Sequence, residues 1–160
     1  MKKITLLLLI LLPFIGYSQS EIPKNSDKII VLNELTAAAN FIKAKQALAD
    51  LDIEILSQDR DIFQIKTAKI RSTNDAGYAY LINCRDGKVT ITGTWGTNIG
   101  IQVGAITQGA STYAITYKGL QKYIFNKMNE YALKLGDKLE YQSSEVIAKT
   151  LPKGNDDVYN

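Results

Sequence analysis

The spacing of apolar residues changes character along this chain, and each change marks an element. Ile4 to Ile15 is apolar almost throughout, with Lys2 and Lys3 before it and Gly16-Tyr17-Ser18 after it. A basic start, a short apolar run and small residues at the cut describe a cleavable secretory signal over 1–18, with the mature chain starting near Gln19. The run is too short to persist as a spanning helix. Residues 19–27 are polar and read as a flexible lead-in. Lys28 to Leu32 (KIIVL) predicts a strand. From Thr36, a suitable N-cap, Ala37, Phe41, Ala44, Leu48 and Leu51 recur at helical spacing, predicting a helix to about Asp50. Strands are expected over 53–57 and about 62–70, either side of a charged turn at 58–61.

The period then switches to two. Tyr78 to Cys84 and Val89 to Trp95 alternate, flanking Asp86-Gly87, a favoured pair for a type I′ turn. A two-residue loop sets Cys84 against Val89, Ile82 against Ile91, Tyr80 against Gly93 and Tyr78 against Trp95. One face is therefore apolar and aromatic, and Tyr80 is placed to cover the gap at Gly93. The other face carries Leu81, Asn83, Thr90, Thr92 and Thr94, with threonine an ordinary choice for an exposed strand. Strand-like alternation resumes at Tyr113, Ile115 and Tyr117. A second helix follows Gly119, with Leu120, Ile124, Met128, Tyr131 and Leu135 on one stripe and Gly136 as its C′ residue. Residues 137–160 read as a polar tail.

Two helices with apolar stripes need a sheet face to bury against. The expected fold is an α+β two-layer sandwich, a curved antiparallel sheet backed by two helices in the order β-α-β-β-β-β-(β)-α, forming a single domain over 28–136. The string YAYLINCRDGKVTI, preceded by a short strand and an alanine-rich helix, resembles a family of uncharacterised exported bacterial domains similar in fold to the TATA-box-binding protein. The likeness spans roughly 28–135. It implies the curved sheet backed by helices and no established activity, and the fold's name carries no implication of DNA binding.

Composition narrows the chemistry. Losing Lys2 and Lys3 with the signal leaves seventeen bases against sixteen acids, a balance of +1, so no net field favours nucleic acid or an anionic membrane. With no histidine, a histidine-based triad and histidine-ligated metals are excluded, and one cysteine cannot build a thiolate site. Cys84 has no partner for an internal disulfide and reads as a small buried hydrophobe. No phosphate-binding glycine motif occurs, and neither cofactor nor metal is expected. With no cysteine at the cut, a lipid anchor is not expected. The chain is expected to be exported to periplasm or exterior, with no stable membrane insertion after cleavage. Asp50, Asp52 and Glu54 resemble the start of a calcium loop, but Ile55 occupies the glycine position.

One stretch departs from the rest. Val89 to Tyr117, 29 residues, carries no charge in a chain that is 22% charged. Such a segment must be covered, by the fold's own sheet and helices or by something else. Trp95, Asn98, Gln102, Gln108, Tyr113 and Tyr117 lie in it on a glycine-rich frame, suiting a small apolar or sugar ligand or a partner strand. The expected function is a non-enzymatic binding or interaction module contacting its ligand or an envelope protein through 95–117. The alternatives are an enzyme acting on envelope polysaccharide through a pair among Asp52, Glu54, Asp59 and Asp61, and a domain that stabilises an envelope assembly.

Overall fold

The computed structural model describes residues 21–72, 76–97, 101–103, 106–108 and 112–144. The expected signal, the chain beyond Ser144 and Asn98 lie outside them. In chain order the elements are β1 (Lys28–Leu32), α1 (Ala37–Asp50), β2 (Ile55–Asp59), β3 (Gln64–Thr67), β4 (Ile70–Arg71), β5 (Ala76–Arg85), β6 (Lys88–Thr97), β7 (Ile101–Val103), β8 (Ile106–Gln108), β9 (Thr112–Ala114), α2 (Lys122–Leu135) and β10 (Lys138–Gln142). An unclosed, curved antiparallel sheet runs β10-β1-β6-β5-β3-β2, with both helices on one face. β4 adds to β5 beyond β3, β9 adds to β6 beyond β1, and β7 pairs only with β8. This is the α+β sandwich that the apolar pattern requires.

The β5–β6 hairpin forms in the expected register, including Cys84 opposite Val89 and Tyr78 opposite Trp95. Gly87 at its tip has φ 74°, but Asp86 is not in the positive-φ region. The turn is therefore not the expected type I′, which needs positive φ at both central residues. Positive φ at the second alone is the pattern of a type II turn. Gly93 is covered differently from expectation. A β-carbon there would overlap the Ile115 Cδ1 methyl and approach Met128 Sδ to 3.2 Å, so Ile115 and Met128 fill the gap. The Tyr80 ring instead stacks on Tyr131 of α2, centroids 6.1 Å apart.

The single strand expected over 62–70 is two. β3 and β4 pair with β5 in registers one residue apart, Lys66 opposite Leu81 but Ile70 opposite Tyr78, so an extra residue bulges out between them. At the break the Thr67 hydroxyl accepts the Tyr80 backbone N–H at 2.9 Å, satisfying a donor the ladder leaves open.

Two terminal expectations are corrected. Residues 138–142 do not start a tail but form β10, antiparallel to β1 with Leu139 opposite Val31. The end of the lead-in is tied down: Ser26 is buried, its carbonyl accepts the Tyr117 N–H at 2.7 Å, and Asp27 N–H donates to the Gln142 carbonyl. Gly136 ends α2 in extended backbone rather than as a left-handed cap. Its small size matters because a β-carbon would come within 3.0 Å of Val31 Cγ1.

The connection from β1 to α1 is clamped to the hairpin tip. Thr36 Oγ1 accepts the Ala39 N–H as expected of an N-cap, and Asp86 of the turn also takes the Ala37 N–H at 2.7 Å. Gly87 N–H donates to the Leu35 carbonyl, and Asn33 N–H to the Gly87 carbonyl. Beneath this, fully buried Asn40 exchanges amide hydrogen bonds with Asn33 and donates to the Arg85 carbonyl at 2.9 Å.

The core lies between sheet and helices. α1 buries Phe41, Ala44 and Leu48 as its spacing predicts, and α2 buries Phe125, Met128, Tyr131, Ala132 and Leu135. The helices are joined by the Tyr131 hydroxyl donating to the Ala44 carbonyl and by Lys43 Nζ donating to the last carbonyl of α2, at Leu135. A cation at that end also opposes the helix dipole.

Cys84 is fully buried, and loss of solvent pushes its thiol up to about 11 despite the adjacent Arg85 charge. Burial likewise raises Tyr80 and Tyr131 above the ordinary phenol range. A thiol reagent at pH 8 should therefore leave the native protein almost unmodified and label it fully once urea unfolds it. Because the folded state holds these protons more tightly, stability should fall as pH rises from 9 through 11. Rapid native labelling, or a urea midpoint unchanged across that window, would contradict the placement of Cys84.

Candidate functional site

Beyond the hairpin's midpoint the sheet is extended by β9, and the chain then turns into α2. Trp95 stands on the core-facing side of β6 directly opposite Tyr113 of β9, with the two rings 5.6 Å apart. Trp95 is partly buried, whereas Tyr113 is 54% exposed. The Trp95 indole Nε1 is shielded from solvent and has no hydrogen-bond acceptor among the described residues. A buried donor left open costs about 1–3 kcal/mol.

Against Trp95 lies an apolar groove of about 460 Å³, lined also by Thr116, Lys118, Leu120, Gln121 and Ile124. Its far wall follows from a local change of helix type. Gly119, with φ 52°, begins a 3-10 turn through Gln121, and α2 proper starts only at Lys122. Leu120 is thereby taken off the buried stripe of α2, where its spacing had placed it, and is 97% exposed. Tyr123, 63% exposed, lies nearby in sequence on the first turn of α2. The loop before the turn is pinned by Gln121, whose Oε1 accepts both the backbone N–H and the hydroxyl of Thr116 at 2.9 Å.

A second groove of about 450 Å³ lies on the other side of this loop, lined by Glu21, Lys24, Tyr117, Lys118 and Lys122 among others. Tyr117 packs edge-on against Phe125, and the Lys122 ammonium lies 4.8 Å from the Tyr117 ring centre. Lys118 lines both grooves, so the stretch from Thr116 to Lys122 is a ridge between an apolar channel and a polar one.

The expected contact residues are thus partly united. Trp95 lines the apolar groove and Tyr113 packs against its ring without lining the groove, while Tyr117 belongs to the polar groove. Gln102 and Gln108 are seen only as strand positions, in β7 and β8, and Asn98 lies outside the described residues. Leu120, Gln121 and Ile124 were not expected in the site. The available signal was Leu120 following directly on Gly119, a break at the start of the helix.

The four carboxylates considered for catalysis are all exposed. Asp59 is engaged in its own turn, accepting the N–H groups of Asp61 and Ile62. Among the described residues no cluster of acids and cysteine could hold a metal ion. No helix there is long and apolar enough to cross a membrane. The groove itself offers aromatic and aliphatic walls and the Lys118 ammonium. Those are means of holding a molecule. No protein-family model matches this chain, and no curated protein matches it.

Proposed function

We propose that this chain is an exported, non-enzymatic binding module, related to the exported domains it resembles, whose contact surface is the groove between Trp95 and the start of α2. One observation carries the reading: a preformed apolar groove of about 460 Å³ walled by Trp95, Leu120 and Ile124. That volume falls in the range of roughly 300–1,000 Å³ usual for small-molecule sites, which are mostly apolar with a few placed polar groups. The wall includes Leu120 at 97% exposure, a surface that folding leaves wet and a ligand would cover. The ligand expected is small and largely apolar.

The test uses a neutral apolar dye, N-phenyl-1-naphthylamine, whose emission rises on entering an apolar site. The protein should bind it saturably. The Trp95→Ala/Tyr113→Ala double variant should bind at least about tenfold more weakly, since aromatic anchors carry a large share of such affinities. Its circular dichroism should stay native, because neither ring is wholly buried. Unchanged dye binding by a folded double variant would remove the site from this groove.

A further inference from the structure

We infer that the ligand is a single-tailed, monoanionic amphiphile of fatty-acid type, its tail in the apolar groove and its head held at the Lys118 ridge. This rests on the binding reading above and adds to it the charge of the ligand. The observation behind it is the adjacency of two unlike grooves. Thr116 to Lys122 separates them, and within that stretch Lys118 borders both. Lys24, Lys118 and Lys122 line the polar groove, with Glu21 the acid among its lining residues. All three lysines are exposed, and none forms an ion pair with a carboxylate among the described residues. Positive charge therefore outweighs negative, three lysines to one glutamate, at one margin of an apolar channel.

The start of α2 adds to that field. Its first turn contains no acidic residue, and Gln121 gives it no side-chain cap, so the positive end of the helix dipole is unopposed. The net charge of the chain is small, so this local field is a matter of placement rather than composition. A cationic head would be repelled here, and an uncharged one would leave the ammonium groups without a counterion.

The chain's sole tryptophan makes its own emission the readout. Decanoate, decanol and decyltrimethylammonium, each below its micelle concentration, would be titrated into the purified protein. Decanoate should bind most tightly and weaken with added salt, and the cation should bind at least tenfold more weakly. In Lys24→Gln/Lys122→Gln, which leaves the lining of the apolar groove intact, the affinity for decanoate should fall about tenfold, as expected for two partly exposed ion pairs, with that for decanol unchanged. Equal affinities for decanoate and decanol, or an unaltered double variant, would overturn the anionic ligand and leave the apolar site standing. Failure of all three amphiphiles together with the neutral dye would overturn both. Binding to anionic phospholipid vesicles without binding of monomeric decanoate would also overturn it, in favour of a membrane surface.

Discussion

Replacing Asn40 with leucine should destabilise the protein by about 3 kcal/mol, although leucine is the better helix former and nearly the same size. Asn40 is fully buried and ties the β1–α1 connection, through Asn33 and Leu35, and α1 itself to the hairpin tip, through the Arg85 carbonyl 45 residues on. Leucine would leave the Asn33 amide and the Arg85 carbonyl without their partner in a place water reaches poorly. Each such orphan costs about 1–3 kcal/mol, outweighing the few tenths gained in helix propensity. The urea midpoint should drop with an unchanged slope. Asp86→Ala, which removes only the extra cap on Ala37, should cost about 1 kcal/mol. The two changes should couple, because both loosen the hairpin tip from α1. A loss below 1 kcal/mol for Asn40→Leu would mean that the clamp does not hold these segments together.

Gly93→Ala should cost about 2 kcal/mol, and Gly93→Val more, although valine is favoured in strands. The added β-carbon meets the Ile115 Cδ1 methyl, and both Ile115 and Met128 above it are fully buried. Methionine can shift, but β-branched Ile115 has few rotamers to retreat into. This cause can be isolated. Ile115→Val deletes the colliding methyl and alone should cost about 0.5–1.5 kcal/mol. Combined with Gly93→Ala, it should produce a protein more stable than the sum of the two losses implies, by about 1 kcal/mol. Strict additivity would show that Gly93 serves the backbone rather than the packing above it.

What could be read from the residues was whatever is encoded locally. The hairpin register follows from Asp86-Gly87 and alternation on either side, and the limits of α1 from Thr36 and an apolar spacing that stops at Asp50. What escaped depends on pieces far apart. Leu139 and Tyr141 of β10 do alternate with Lys138, Glu140 and Gln142, but a stretch that short becomes a strand only because β1 offers it an edge. Asn40 in an alanine-rich helix looks like a solvent-facing residue until the hairpin tip descends on it. The aromatic half of the candidate site, Trp95 and Tyr113, was visible as side chains in an uncharged run. The aliphatic half was not, because it depends on a 3-10 turn that changes the direction of Leu120. The stripe of α2 was likewise read from Leu120, whereas burial reaches round to Phe125 and Ala132.

The position of β1 bears on when the fold can form. This strand is the first to be made, yet its two neighbours are residues 88–92 and 138–142. The loop that must close before β10 can pair with it spans most of the chain, and contacts of such sequence separation make folding slow. The hairpin of β5 and β6 can assemble from its own residues, but it exposes an apolar face until both helices and β1 arrive. A growing chain would therefore stay short of its native state until nearly all of it is available. That delay would suit a polypeptide that has to be threaded through a narrow channel before it folds.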